Sequence, residues 1–196
     1  KDKTLLTAEQ VIHYAAPDNL LQDRVILITG AGDGIGKAAA LACAKAGATV
    51  ILAGRTVAKL EQVFDQILEL NAAEPVIYPI ELEGAKQDDY HQLAVALDNQ
   101  FGRLDALLLN AGILGQRTPL NNYRQDVWDK VLKVNVSAQF QMTQALMPVL
   151  EKSTDASVVF TTSSVGKVGR AFWGAYGVSK FAVEGMVQTW AAELEG

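Results

Sequence analysis

A doubly wound α/β fold built on a parallel sheet is predicted by two features of the sequence. Short runs of Val, Ile and Leu alternate along the chain with longer amphipathic or alanine-rich segments, which is the order expected of strand–helix–strand units. The apolar runs show little polar alternation, as is typical of strands that helices cover on both faces. We therefore expect a three-layer αβα arrangement with right-handed crossovers.

The elements follow one another in a regular order. RVILIT is the first strand, and GIGKAAALACAKAGA follows as an alanine-rich helix that ends at Gly47. Strand TVILA, helix TVAKLEQVFDQILEL, strand VIYPIE, helix DDYHQLAVALDNQF and strand ALLLN come next. A long helix over residues 128–150, strand ASVVFT and a helix carrying Tyr176 complete the series. Because such a sheet normally continues further, we expect C-terminal strands to be missing from this chain.

Composition indicates one globular domain that binds small molecules. Of the 196 residues, 49% are hydrophobic and 20% are charged, and the net charge is −5. The sequence contains no cluster of Lys and Arg of the kind that would predict binding to nucleic acid or to a membrane surface. We expect a polar arm over residues 1–21 and a single domain over residues 22–196. The single cysteine, Cys43, favours a reducing compartment, and with no signal peptide or long apolar run we expect a cytoplasmic location.

A glycine-rich turn joins the first predicted strand to the first predicted helix. It reads TGAGDGIG over residues 29–36. Glycines let the backbone approach a phosphate closely, and the free N–H groups at a helix N-terminus favour an anion. The turn therefore predicts a pyrophosphate site, the alternative being a tight turn without ligand.

Tyr176 and Lys180 lie four residues apart on the last predicted helix, and Ser163 follows the apolar run VVF. Residues at i and i+4 share a helix face, so the lysine ammonium can lie beside the tyrosine hydroxyl. A neighbouring cation favours the phenolate form, which prepares a tyrosine for proton exchange with a substrate. The spacing alone is common on surface helices, so its meaning depends on the motifs upstream.

These motifs occur in the order found in the short-chain dehydrogenases/reductases, which the chain resembles over about residues 21–195. The resemblance rests on TGxxxGIG, the Asn110-Ala111-Gly112 turn, Asn135, Ser163 and Tyr176-xxx-Lys180. The stretches LNAGILG and TSSVGKVGRAFWGAYGVSKFA are most similar to the YciK-like subgroup of bacterial oxidoreductases. The family implies a Rossmann-like fold and an oxidoreductase that interconverts a carbonyl and an alcohol by hydride transfer.

The resemblance also implies four catalytic roles. Tyr176 would be the general acid or base, and Lys180 would favour its ionisation and bind the nicotinamide ribose. Ser163 would polarise the carbonyl, with Ser164 as its rival for that role. Asn135 would interrupt its helix and carry a water-linked proton path to Lys180.

The cofactor is expected to be NADP(H), with NAD(H) as the alternative. Gly54 stands where NAD-specific proteins offer a carboxylate, and the Arg55 guanidinium that follows can pair with a 2′-phosphate. Asp33 opposes this preference, since its charge would repel a phosphate. The residues expected to bind the cofactor are Gly30, Gly32, Asp33, Gly34, Ile35, Gly54, Arg55, Thr56, Glu81, Leu82, Asn110, Ala111, Gly112, Tyr176 and Lys180.

Several further expectations concern partners. No metal site is predicted, because His13 and His91 lie far apart without ligand-spaced neighbours. Phe172 and Trp173 are equally compatible with a wall of the substrate pocket and with plain packing. Arg170 could meet an acidic substrate or face solvent, and solvent is the expectation. The substrate would be a small or medium apolar carbonyl or alcohol, and the family implies a homodimer or homotetramer. A redox sensor that binds the dinucleotide without turnover is the competing hypothesis.

Overall fold

The structure is a computed structural model that describes residues 19–195 and, before them, Glu9, Tyr14, Ala16 and Pro17. Most of the predicted arm over residues 1–21 therefore lies outside the described residues, as does His13. The end of the arm is attached to the domain, since the Leu21 N–H donates to the Ala46 carbonyl at 2.9 Å.

Five parallel strands form one sheet in the order β3-β2-β1-β4-β5. Their bounds are β1 Val25–Thr29, β2 Thr49–Gly54, β3 Val76–Pro79, β4 Ala106–Leu109 and β5 Ser157–Phe160. The chain moves outward from β1 to β3 and then crosses back to the other side of β1. Because the crossing point lies between β1 and β4, their carboxyl ends open a crevice, which is where ligands bind in sheets of this kind. The predicted fold class is confirmed.

Six α-helices cover the two faces of the sheet in the described part of the chain. They are α1 Gly34–Lys45, α2 Val57–Glu69, α3 Gln87–Phe101, α4 Gln125–Leu132, α5 Ala138–Leu150 and α6 Gly174–Leu194. Successive residues of β1 face opposite sides: Ile26 and Ile28 pack with α1 and α2, whereas Leu27 packs with α3 and α5. This alternation explains why the strand sequences are apolar throughout.

The long helix predicted over residues 128–150 is interrupted where Asn135 lies. One turn of π-helix, Lys133–Ser137, separates α4 from α5. The buried Asn135 amide accepts from Ile113 N at 2.8 Å and donates to Ile113 O at 2.9 Å, so the widened turn holds the side chain against the loop after β4. The expected interruption of the long helix at Asn135 is therefore confirmed, because the π-turn contains this residue.

Asp105 fastens the edge of the sheet opposite the crevice. Its carboxylate is 4% exposed and accepts from Val25 N at 2.8 Å, Ser153 Oγ at 2.7 Å, Arg103 Nε at 3.1 Å and Arg24 Nη1 at 3.3 Å. Burial acts to raise the pKa of Asp105, but these hydrogen bonds and the nearby guanidinium outweigh it and hold the pKa below its ordinary value. One carboxylate thus joins β1, β4 and the segment before β5.

We predict that Asp105→Asn lowers the free energy of unfolding by about 2 kcal/mol, because the buried donors lose a charged acceptor. Urea denaturation followed by circular dichroism measures the loss. Asp155→Asn is the matched control, since Asp155 also pairs with Arg24 but is 80% exposed. Equal effects of the two substitutions would contradict this account.

The same carboxylate makes the stability depend on pH. Because the folded pKa of Asp105 is depressed, its contribution to the free energy of unfolding is complete above the unfolded pKa. That contribution is lost as the pH falls through the folded pKa.

Candidate cofactor and catalytic site

A cleft of about 380 Å³ opens at the carboxyl edge of the sheet. Its walls come from the ends of β1, β2 and β4 and from the segment after β3, so it lies at the predicted crevice. The residues that line it are Thr29, Gly30, Gly32, Asp33, Ala53, Gly54, Arg55, Thr56, Lys59, Leu60, Ile80, Glu81, Leu82, Glu83, Ala111, Gly112, Ile113, Lys130 and Val134.

Most of the residues predicted to bind the cofactor line this cleft. Ten of them do so, from Gly30 in the glycine loop to Gly112 after β4. Five lie outside the lining, namely Gly34, Ile35, Asn110, Tyr176 and Lys180. Ile35 is 67% exposed on the first turn of α1.

Each of three glycines in the loop is required for a different physical reason, either steric or conformational. A Cβ at Gly36 would overlap the Gly30 carbonyl oxygen, so this glycine lets α1 start directly against the loop. Gly34 has a φ of +52° and open space around it, which makes its requirement conformational. A Cβ at Gly32 would lie 2.9 Å from the Lys59 Cβ, so this glycine brings the loop against α2. The loop therefore leads the backbone past the cleft to the N-terminus of α1.

The Thr29 hydroxyl joins the carboxyl ends of β1 and β4. It is almost fully buried and accepts from the backbone N–H groups of Asn110 and Ala111, each at 3.0 Å. The Asn110 amide in turn donates to Thr29 O at 3.3 Å and accepts from Thr161 Oγ1 at 3.3 Å. Asn110 thus ties the ends of three strands together, which explains why its side chain is not part of the cleft wall. Thr29 belongs to the TGxxxGIG motif, but the sequence analysis gave it no role, although a hydroxyl at the end of an apolar strand is a signal for one.

A salt bridge that the sequence did not reveal changes the charge at the mouth of the cleft. Lys59 Nζ lies 2.5 Å from Asp33 Oδ2, and both residues line the cleft with Gly54 and Arg55. The hydrogen bond from Lys59 lowers the pKa of Asp33, with a further contribution from the backbone N–H of Gly34. The carboxylate that would oppose a phosphate therefore carries its own counter-charge. Lys59 lies on the first turn of α2, four residues after Arg55, and this nearness in sequence was the available signal.

Lys180 is a buried cation at the inner end of the site. Its side chain is 2% exposed and its ammonium donates to Thr161 O at 2.6 Å. Burial lowers the pKa of Lys180, because the charged form loses hydration. The ammonium also lies 5.6 Å from the centre of the Tyr176 ring, which confirms that the two side chains share a helix face.

Asn135 and Lys180 converge on Gly112, which also lines the cleft. A Cβ at Gly112 would lie 3.3 Å from Asn135 Oδ1 and 3.8 Å from Lys180 Nζ. The Asn135 amide also donates to Ser179 Oγ at 3.0 Å, and that hydroxyl donates to Tyr176 O at 2.7 Å. This chain of hydrogen bonds fixes the first turns of α6 against the π-turn. Ser179 was missed at the sequence level, although its position on the face of α6 beside Lys180 could have indicated it.

Ser163 lies directly before a short 3₁₀ turn, Ser164–Gly166, that packs on α6. A Cβ at Gly166 would lie 2.9 Å from Lys180 O, so the turn sits tightly against the helix beside the lysine. Ser164 belongs to the turn itself, and its carbonyl accepts from the backbone of Lys167 at 3.3 Å. Within residues 19–195, the hydroxyls of Ser163 and Tyr176 have no hydrogen-bond partner, so both are available to a ligand.

The described residues contain neither a metal-binding cluster nor a helix that could cross a membrane. Among them, no group of three or more His, Cys, Asp and Glu side chains could hold a metal ion. None of the described helices combines the length and the apolar character that crossing a membrane requires.

Comparison with known proteins places the chain in a family. The family model for short chain dehydrogenases matches residues 24–196. YciK of Escherichia coli K12, an uncharacterized oxidoreductase, is 48% identical over 184 residues, which are 94% of this chain and 73% of YciK. A short chain dehydrogenase structure from Pseudomonas syringae is 54% identical with a TM-score of 0.92, covering 93% of this chain and 74% of that one.

A third relative has been solved with a cofactor. The structure of a short chain dehydrogenase from Escherichia coli CFT073, complexed with NADPH, is 50% identical with a TM-score of 0.87, and the match covers 89% of this chain and 73% of that one. The chain belongs to the short-chain dehydrogenase/reductase family of oxidoreductases. Its predicted likeness to the YciK-like subgroup is also confirmed.

We predict that Ser179→Ala lowers the free energy of unfolding by about 1–2 kcal/mol, because Asn135 loses a partner inside the protein. Thermal unfolding followed by circular dichroism measures the change. Thr189→Ala is the control on the same helix, since the Thr189 hydroxyl bonds to Gly185 O at 3.0 Å in an exposed position. A Ser179 variant no less stable than the Thr189 variant would show that the link between Asn135 and α6 is dispensable.

Proposed function

We propose that this chain is an NADP(H)-dependent oxidoreductase that interconverts a carbonyl and an alcohol, with Tyr176 as the acid or base. The observation that carries the proposal is the convergence of Lys180 and Asn135 on Gly112, at the inner end of the cleft. A dinucleotide that fills the cleft would end at this point. The proton-transferring residues and the end of the cofactor would therefore meet.

The cleft suits a phosphorylated dinucleotide in three respects. The glycine loop and the N-terminus of α1 offer backbone N–H groups to a pyrophosphate. Gly54 leaves space at the end of β2, and the guanidinium of Arg55 is available there for a 2′-phosphate. Lys59 offsets the charge of Asp33, which removes the main objection to NADP(H). The NADPH bound by the relative from Escherichia coli CFT073 supports the same choice.

The roles of the remaining residues follow from their positions. When bound, NADPH supplies the hydride that reduces the carbonyl carbon. Tyr176 donates its proton to the carbonyl oxygen, and Ser163 donates a hydrogen bond to the same atom as negative charge develops there. Lys180 holds a positive charge beside the Tyr176 ring, which favours the phenolate left after proton transfer.

Asn135 supports this proton transfer from the opposite side of Gly112. Its side chain is fully buried and holds Ile113 by both N–H and C=O. We infer that the widened π-turn leaves room for a water-linked path from Lys180 toward solvent, which would restore the proton to Tyr176. The hydrogen bond from Asn135 to Ser179 holds the π-turn against the helix that carries Tyr176.

The faces of α5 and α6 support the expected homodimer or homotetramer. Phe140 and Trp190 stack across these helices with ring centroids 6.5 Å apart, and Phe140 remains 42% exposed. Phe181 on α6 is 45% exposed. Such aromatic surface on neighbouring helices is typical of contacts between subunits. The small-molecule substrate and the cytoplasmic location stay predictions.

We predict that Tyr176→Phe lowers kcat for carbonyl reduction by about 10²–10⁴-fold while the Kd for NADPH stays within about twofold, because only the proton donor is lost. Turnover is followed by NADPH absorbance over a panel of ketones, aldehydes and quinones, and the Kd by calorimetry. Tyr78→Phe is the control, since Tyr78 lies on β3 away from Lys180. Unaltered turnover in Tyr176→Phe would contradict the assigned role.

The cofactor preference is tested at the mouth of the cleft. We predict that Arg55→Met weakens NADPH binding by about tenfold and leaves NADH binding within about twofold, because only the 2′-phosphate loses a charged partner. Calorimetry with each nucleotide measures both affinities, and Lys45→Met, at the far end of α1, is the control for loss of one positive charge. Wild-type protein that binds NADH as tightly as NADPH would overturn the proposed preference.

A further inference from the structure

The loops that flank Tyr176 differ in charge from the rest of the chain. The chain has a net charge of −5, yet residues 106–125 and 156–183 contain no Asp or Glu. These two segments comprise β4 and β5 together with the chain that follows each strand, so their loops lie on the same carboxyl edge of the sheet as the cleft. These two segments therefore bring no acidic side chain to the surroundings of Tyr176.

The same two segments contain cations that lack a counter-ion. Arg124 is paired with Asp126 at 2.5 Å, and Lys180 is buried. In the part of the chain that the structure describes, Arg117, Lys167 and Arg170 form no salt bridge. A positive local field on an acidic protein favours the approach of an anion.

Arg117 is the cation that the structure connects to the catalytic tyrosine. Its Cζ atom lies 4.8 Å from the centre of the Trp173 ring, and that ring lies 5.8 Å from the centre of the Tyr176 ring. Trp173 therefore lies next to both Arg117 and Tyr176. Contact with an indole face holds a guanidinium while its N–H groups can still bind a carboxylate in a bidentate manner.

Tyr123 holds the loop that carries Arg117 against the start of α6. Its hydroxyl accepts from Gln116 N at 3.1 Å. A Cβ at Gly115 would lie 2.6 Å from that hydroxyl, and a Cβ at Gly174 would overlap the Tyr123 ring. The loop and the helix thus meet on one tyrosine, which orders the Arg117 backbone before any ligand binds.

We infer that the substrate carries a carboxylate, which Arg117 binds beside Tyr176, so that the substrate class is the keto acids and their hydroxy acid counterparts. This inference rests on the proposed function and replaces the apolar substrate expected from the sequence. The carboxylate is unchanged in the reaction: the carbonyl takes a hydride from NADPH at carbon and a proton from Tyr176 at oxygen, leaving the alcohol and NADP⁺. Trp173 packs against the body of the substrate.

The test compares 4-acetylbenzoate with its methyl ester, a pair that differs in charge but shares the ketone. Their affinities are measured by calorimetry on the full chain saturated with NADP⁺, which cannot reduce the ketone. We expect the acid to bind at least about tenfold more tightly than the ester. Arg117→Met should abolish this preference without changing ester binding, and Arg117→Lys should restore it in part, since the charge returns without the planar stack.

Arg124→Met is the matched control, because it removes one positive charge from the same loop but from a side chain already paired with Asp126. It should keep the preference for the acid. A wild-type preference below about twofold, no binding of the acid, or an equal loss in the Arg117 and Arg124 variants would each overturn the inference. Failure of the proposed function is seen separately, as absent NADP⁺ binding or as Tyr176→Phe with unaltered turnover.

Discussion

The site depends on the ammonium of Lys180, which is buried without a carboxylate partner among the described residues. Lys180 is 2% exposed and its ammonium has the Thr161 carbonyl as hydrogen-bond partner. Burial of a charge with so little compensation costs free energy and lowers the pKa of Lys180. A group that brings negative charge or hydrogen-bond acceptors next to the ammonium relieves this cost. Both the phenolate of Tyr176 and the hydroxyls of a ribose meet that description.

The backbone on two sides of Lys180 approaches the lysine closely. Glycine at position 112 lets the loop after β4 pass close to the ammonium, and glycine at position 166 lets the turn after Ser163 rest on the lysine backbone. Asn135 fills the remaining side from a π-turn and ties it to α6 through Ser179. The side chains proposed to act in catalysis come from distant parts of the sequence, and hydrogen bonds between elements rather than any one loop hold them.

Local patterns were enough to predict the elements and the family. The strands are short, apolar and buried on both faces, and the first helix follows a glycine loop, so each could be recognised within its own stretch of sequence. Asn135 was expected to interrupt its helix, and it does. The predicted roles of Tyr176, Lys180 and Ser163 stay predictions, although the structure brings Tyr176 and Lys180 together.

Contacts between distant segments could not be predicted in the same way. Asp33 was interpreted as opposing a phosphate, because its partner Lys59 comes from another helix and the sequence does not show how α2 packs on the glycine loop. Arg117 meets Trp173 only because Tyr123 brings the loop after β4 against α6. Sequence reasoning considered Arg170 for an acidic substrate and passed over Arg117, since only packing distinguishes a stacked guanidinium from a solvated one.

The most direct test of the account is the pH dependence of kcat/KM for carbonyl reduction in wild-type protein and in Lys180→Met. The ammonium lies 5.6 Å from the centre of the Tyr176 ring, so its loss removes the positive charge that would stabilise the phenolate left after proton transfer. The account predicts that Lys180→Met lowers kcat/KM by about 10²–10⁴-fold across the whole pH range of the assay. A kcat/KM within about twofold of the wild-type value would contradict the claim that the buried ammonium supports the proton donor.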